Sequence, residues 1–407
     1  MITRFEHDRL MEPAHVVKAL HRHYGDGKPY YDLIANGVKF NQFVGVMQVG
    51  EHTIEVLPKI DRDRGSKDAQ WRAVLLDMLR RTENLPIIET GEADLSLQPN
   101  HVLDLYIALF LKEVAYLMRQ GLARTYRRTE GNRLALKGKL VMSRQIQENL
   151  VHAERFHVAY STYDQDMPHN RILRLTLKVI LRISNKAHLR GAVSRLLLDF
   201  PELPDISVNE QTFRKLVWNR KTEGYRRAIH IARLILLHYH PDIRGGSEHV
   251  LALMFDMNKL WEAFVLAELR RFAPEGWTVE AQHSERFWEA ESGNKAHLRP
   301  DIILRGPNRQ IIVLDTKWKL TDGRPTDQDL RQLFAYQHAF KADQGYLVYP
   351  GVGTKVNPAL SFTASTQCHL LEINPLLNFR LNADLGKELW KQLTPALGGQ
   401  GIVSPGL

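Results

Sequence analysis

Cysteine is almost missing from this chain: one residue, Cys368, in 407. That excludes an intrachain disulfide framework and any zinc site built from several thiolates, and it suits a reducing cytoplasm. Long apolar runs are missing as well. None approaches the length of a membrane span, and the opening MITRFEHDRL is too charged for a signal peptide, so a cytoplasmic chain with no membrane partner is expected. No GxxxxGK[ST] loop occurs, so any nucleotide hydrolysis that powers the system is expected on another chain. Repeats and low-complexity tracts are absent, apart from a tail, GGQGIVSPGL, that reads as flexible.

What is present points to a folded protein with an anionic partner. Lys and Arg number 55 against 46 Asp and Glu, a net charge of +9, and 44% of the residues are hydrophobic. Such an excess favours nucleic acid less strongly than a basic tail would. The length predicts two or three domains.

The first sixty residues read as β-structure. YYDLIA, VKFNQFVGVMQV and TIEVLP are rich in strand formers, Asn36-Gly37 and Gly50 mark turns, and Pro58 closes the last strand. Two helical patterns follow, from Trp71 and from His101, the second ended by Gly121. Residues 1–120 are thus expected to form an α+β domain, and 121–250 a mainly helical one, with helices in HNRILRLTLKVILRI and YRRAIHIARLILLHYH. Between Arg124 and Leu140, four arginines and two lysines lie beside Gly131 and Gly138. They read equally as a phosphate-contacting surface or a solvated face. Residues 251–393 are expected to form the third domain, with 394–407 as the tail.

The chemistry is concentrated in LRPDIILRGPNRQIIVLDTKWKL, Leu298 to Leu320. It reads as two strands joined at Gly306, Pro307 and Asn308. Side chains alternate across a strand, so Asp315 and Lys317 share a face and the hairpin brings Asp301 beside them. Paired carboxylates are hard oxygen ligands for Mg²⁺, with Mn²⁺ as a substitute, and a cation offsets their mutual repulsion. Asp301, Asp315 and Thr316 are the candidate metal contacts. Phosphodiester cleavage needs such a metal, and Lys317 is suited to orient water or stabilise transition-state charge.

A helix from Asp256 to Phe272 precedes these strands. Glu262 sits at the edge of its apolar arc as a candidate third acid, although Glu268 lies nearer the middle. A later helix from Asp327 carries Gln332 and Tyr336 one turn apart, and the strand GYLVYP follows. The order α-β-β-β-α-β is that of PD-(D/E)xK nucleases, with catalytic candidates Asp301, Asp315, Lys317, Glu262 and Gln332. The competing reading, Asp315 and Lys317 as a surface ion pair, fits poorly with IIVLD, an apolar run typical of a buried strand. His230, His238 and His240 share a predicted helix but lack the compact spacing of a zinc site.

Several segments together resemble the McrC family, the nuclease subunits of McrBC-type modification-dependent restriction systems. They are FVGVMQVGEHTIEVLPKI (43–60), LKGKL (136–140), YDQDMPHNRIL (163–173), NKLWEAFV (258–265) and RPD...LDTKWK. The resemblance implies a multidomain α+β chain with a β-rich N-terminal domain, a helical middle region and a C-terminal α/β PD-(D/E)xK endonuclease-like domain. It implies a Mg²⁺-dependent endodeoxyribonuclease that cuts modified, methylated double-stranded DNA and stimulates a partner, a McrB-like AAA+ GTPase hexamer. The N-terminal region would dock in the pore of that ring, and no small-molecule cofactor is expected. Two other readings remain open: a non-catalytic adaptor that docks in an AAA+ ring, and a stand-alone DNA repair nuclease.

Overall fold

The computed structural model describes residues 2–22, 24, 30–49, 52–58, 68–82, 102–240, 250–289, 295–319, 324–351, 355–363, 366–377 and 380–393. They form two units. The first joins residues 1–47 and 52–98 to 254–407, and the second holds 48–51 and 99–253. This grouping cuts across the three consecutive segments expected above, because the N-terminal strands pack with the C-terminal segment. The turn expected at Gly50 and the tail 394–407 lie outside the described residues.

In the first unit, the strand Ile2–Phe5 pairs in parallel with His52–Leu57, and Pro58 ends the pairing. Arg9–Leu10, Gly37–Phe40 and Tyr31–Ile34 make a small antiparallel sheet. The tight turn falls on Ala35 and Asn36, with Asn36 at φ +60°, one residue before the expected Asn-Gly pair. Gly37 is instead the first strand residue, where a Cβ would lie 2.6 Å from the Leu10 carbonyl oxygen. The N-terminal sixty residues are not purely β. Ala14–Arg22 is a helix, because Pro13 starts it and Val16, Val17, Ala19 and Leu20 form one buried face.

The helix Asp68–Arg81 ties this segment down through two buried acids. Arg72 pairs with Glu55, which is fully buried, and Arg81 Nη1 donates to Glu268 Oε1 at 2.8 Å. The main-chain N–H of Met257 also donates to the Gln42 carbonyl at 2.9 Å.

The C-terminal segment runs as the helix Met257–Arg271, the strand Thr278–Ala281, the hairpin Glu285–Glu289 and Lys295–Leu298, and the strands Ile302–Arg305 and Ile311–Thr316. The helix Asp327–Phe340 and the strand Gln344–Pro350 follow. The central sheet has the order Thr278–Ala281, Ile302–Arg305, Ile311–Thr316, Gln344–Pro350, Thr366–Ile373, Lys355–Thr363. Pairing is antiparallel among the first three strands, parallel from Ile311–Thr316 through Gln344–Pro350 to Thr366–Ile373, and antiparallel again between Thr366–Ile373 and Lys355–Thr363. The helix Asp327–Phe340 covers the face carrying Ile303, Val313, Leu347, Tyr349 and Leu370 through Leu333, Tyr336 and Phe340. By alternation Asp315 belongs to that same face.

The second unit is largely helical, and its helices Val102–Gln120, Pro168–Ile183 and Arg226–Leu237 match the periodic stretches. It is not only helical, however. Thr125–Arg133, Phe156–Asp164 and Lys139–Leu140 form a three-stranded sheet. TYRRTEGNR has little apolar alternation, so pairing along its full length with Phe156–Asp164, rather than burial, makes it a strand. Asn170, from the YDQDMPHNRIL stretch, is fully buried and donates to the Ala123 carbonyl at 3.0 Å while accepting from the Tyr225 hydroxyl at 3.0 Å. His169 beside it packs edge-on against Trp218, and burial lowers its pKa to about 4.

Gly138, in LKGKL, stands at φ +76°, and a Cβ there would lie 2.5 Å from the Ala159 carbonyl oxygen. Gly138→Ala should therefore destabilise the second unit by about 2 kcal/mol or more through left-handed strain and backbone displacement. Urea unfolding, with amide exchange at Ala159 and Tyr160, measures this. An unchanged midpoint would mean that the hairpin yields freely.

Candidate active site

Apolar residues drive the strands Ile302–Arg305 and Ile311–Thr316 into the sheet interior, and their polar ends meet at one edge of the pairing. Ile302 is opposite Leu314, so Asp301, the residue before the first strand, lies beside the end of the second. Its Oδ2 accepts from the Thr316 N–H at 2.7 Å and from the Thr316 hydroxyl at 2.9 Å. Oδ1 makes no hydrogen bond among the described residues. Asp301 is thus held by one oxygen and leaves the other available.

Asp315 is 1% exposed. Burial raises its pKa to about 6, the charge of Asp301 pushes the same way, and Lys317 only partly offsets both. Lys317 lies just past the strand end, but its N–H still donates to the Val348 carbonyl at 2.9 Å, so its side chain keeps the alternation expected for it. Nζ lies 2.8 Å from Asp315 Oδ2 and donates to Gln332 Oε1 at 3.1 Å. Burial alone would lower the Lys317 pKa, but Asp315, Asp301 and Asp329 together hold it above the ordinary value.

Gln332 is oriented in turn, its Nε2 donating to the Tyr336 hydroxyl at 2.7 Å one helical turn away. Glu262 accepts from Gln282 Nε2 at 2.8 Å. The Gln282 main-chain N–H donates to the Asp301 carbonyl at 2.9 Å, so Gln282 links Glu262 to Asp301, and burial first and then the Asp301 charge raise the Glu262 pKa. Glu268 is not a competitor for the role of third acid, because it is buried and its Oε1 is taken by Arg81.

All five candidate catalytic residues therefore gather about one end of the sheet, and Thr316 acts there as the clamp on Asp301. Among the described residues no group of three or more His, Cys, Asp or Glu side chains is placed to hold a metal ion. The donor set still fits a hard divalent cation. Two carboxylates whose proximity and burial raise one pKa to about 6 are an environment that positive charge stabilises.

Sequence reading missed Asp329. It is buried in the first turn of the helix Asp327–Phe340, pairs with Lys319, accepts from the Tyr349 hydroxyl at 3.0 Å, and bears electrostatically on both Asp315 and Lys317. An acid at that position reads as ordinary helix capping, so only the tertiary contacts reveal it. The three histidines do not share one helix: His230 lies in Arg226–Leu237, His238 follows its end with Nδ1 2.8 Å from the Leu234 carbonyl, and His240 lies in the strand Tyr239–His240.

A family model described as McrBC 5-methylcytosine restriction system component matches residues 38–350, and the chain belongs to that family. Among solved structures, it is similar to a chain of the Thermococcus gammatolerans half-complex of McrB AAA+ hexamers with bound McrC. Identity is 20%, TM-score 0.74, with 97% of this chain and 100% of that one covered. A chain of the cryo-EM McrBC complex from the same organism matches at 23% identity and TM-score 0.51, covering 66% of this chain and 87% of that one. At these identities the likeness establishes a shared fold. No curated protein matches the chain. No helix among the described residues is long and apolar enough to cross a membrane.

The raised Asp315 pKa has a consequence for stability. The carboxyl is protonated more readily in the folded state than in the unfolded chain, so folding is favoured most below about pH 4 and that advantage is lost as pH rises through about 6. At pH 7.5 without metal, Asp315→Asn should therefore stabilise the protein by about 2 to 3 kcal/mol. Below pH 4 the gain should vanish. Urea unfolding in EDTA at the two pH values tests it, and destabilisation at pH 7.5 would contradict it.

Proposed function

We propose that this chain is the DNA-cutting subunit of a GTP-driven restriction complex, a Mg²⁺-dependent endonuclease of PD-(D/E)xK type acting on methylated double-stranded DNA. The observation that carries the reading is the juxtaposition of Asp301, Asp315 and Lys317 at one sheet end. Glu262 and Gln332 stand around them. Membership of a restriction family gives that geometry its substrate class.

Asp301 Oδ1 and the Asp315 carboxylate would hold the cation, with Thr316 keeping Asp301 in place. The cation supplies charge for the phosphoryl oxygens and acidity for the attacking water. Lys317 does the remaining electrostatic work. Its ammonium is braced by Asp315 and Gln332 and stays protonated at neutral pH, so it is placed to neutralise charge developing on the scissile phosphate. Glu262, with a raised pKa and only one amide partner, is suited to take up a proton or to hold a water on the metal side.

The structural neighbours contain McrC bound to McrB hexamers, and the sequence here has no phosphate-binding loop. Both support a partner that supplies GTP hydrolysis. Docking was expected from residues 1–120, but a specific observation favours another element. Tyr126, Leu134, Leu136, Met142, Ile146, Leu150 and Val151 are all exposed on the strand-and-helix segment 125–164. Seven large apolar side chains in water on one short segment mark an interaction surface. Residues 1–47 and 52–98, in contrast, belong to the unit that holds the site, so deleting them would strip its packing.

With the partner GTPase, GTP and Mg²⁺, the chain should cut methylated DNA, and the Asp301→Ala, Asp315→Ala double variant should not. Lys317→Ala should bind DNA normally and cut at least 100-fold more slowly, on the order of a lost transition-state charge contact. Full cutting by the double variant would dismiss the assignment. Separately, Leu150→Asp with Val151→Asp should abolish stimulation of the partner's GTPase while leaving thermal stability unchanged. Undiminished stimulation would return docking to another segment.

A further inference from the structure

We propose that Glu6 is a positioning residue for this site, holding Lys317 in place through the indole of Trp318. The inference rests on the nuclease reading above and extends it to a residue more than three hundred positions away in sequence.

Glu6 is 4% exposed, at the end of the first strand. Its main chain is fixed, because its N–H donates to the Leu57 carbonyl at 3.0 Å and so continues the parallel pairing by one residue. The turn that follows is closed by the Asp8 N–H donating to the Phe5 carbonyl at 3.1 Å and by Asp8 Oδ2 accepting from the Phe5 N–H at 3.1 Å. A carboxylate on so rigid a base is a fixed acceptor. Trp318 Nε1 donates to its Oε1 at 2.7 Å, and both groups are buried.

Trp318 is the residue after Lys317. The main chain at this point leaves the strand and is held from the sheet side by one carbonyl. Val348 O accepts the Lys317 N–H at 2.9 Å and the Trp261 indole N–H at 3.4 Å. The Trp261 ring in turn packs on Trp318, with centroids 5.4 Å apart and planes at 58°. Lys317 therefore sits between a carbonyl anchor on its own N–H and a carboxylate anchor on the next side chain. Losing the Glu6 acceptor would leave a buried indole N–H without its partner, which favours reorientation of Trp318. The backbone of Lys317 would shift with it. Misplacement of a catalytic group by about 1 Å can cost about 100-fold in rate.

The test uses the full complex on methylated DNA with two variants. Glu6→Gln keeps an oxygen acceptor at the same place and should cut within about threefold of wild type. Glu6→Leu removes it and should lower kcat about 10- to 100-fold with KM for DNA unchanged. Trp318→Phe removes the donor and should lower kcat to the same extent, and combining it with Glu6→Leu should cost nothing more. In the free chain, the Trp318 indole and Lys317 amide resonances should move in Glu6→Leu and stay in Glu6→Gln. Wild-type kcat in Glu6→Leu, equal losses in Leu and Gln variants, or additive losses in the double variant would each overturn the proposal. If the wild-type complex fails to cut at all, the nuclease reading fails instead, and the resonances still decide whether Glu6 positions Lys317.

Discussion

The first unit is organised around two carboxylates that the sheet forces together. Asp301 and Asp315 sit at the ends of adjacent strands, and Asp315 is buried by the same apolar residues that make its strand. Burying an ionised carboxylate beside another is unfavourable, and its raised pKa expresses that directly. The surrounding polar residues answer this repulsion. Thr316 saturates one oxygen of Asp301, Lys317 lies against Asp315, Gln332 and Tyr336 aim the lysine, and Asp329 adds a further negative charge balanced by Lys319. A protein under selection for stability alone would place a hydrophobic residue at 315. Retaining the acid at such a position argues for chemistry there.

The local part of this arrangement was legible in the sequence because it follows from short-range rules. Alternation puts Asp315 and Lys317 on one face, turn residues 306–308 fold the hairpin, and helical spacing pairs Gln332 with Tyr336. Distant contacts were not legible. The helical wheel did not select Glu262, because Glu268 lies nearer the middle of the apolar arc, and Arg81, nearly two hundred residues earlier, is what pairs with Glu268. The grouping of the N-terminal strands with the C-terminal segment was missed for the same reason. It depends on pairs such as Arg81 with Glu268 and Glu6 with Trp318, whose members carry no periodic signal.

The segments that resemble the McrC family do two different kinds of work in this molecule. In YDQDMPHNRIL, Asn170 closes a buried network with Ala123 and Tyr225, and Asp166 pairs with Arg171. In LKGKL, Gly138 allows backbone to approach backbone. Both contribute to the packing of the second unit. RPD and LDTKWK, on the other hand, carry the acids and the lysine, and the Trp318 within them is part of their support. The resembling segments therefore support packing in one place and the proposed site in another.

The lysine joins these themes. An ammonium has three donors. Lys317 places one against Asp315 and one on Gln332, and it makes no other hydrogen bond among the described residues although its side chain is 24% exposed. One donor is therefore left without a protein acceptor among the described residues. Asp315 and Asp301 keep its pKa high, so it remains charged at neutral pH despite partial burial. An exposed arginine would carry charge as reliably, but its planar fork would demand a second acceptor in plane. On the proposed nuclease reading, a compact point charge braced by Asp315 and Gln332 suits a phosphate oxygen whose position changes as the reaction proceeds. The cost of the buried acid at 315 is thus the means by which the lysine beside it stays protonated and aimed.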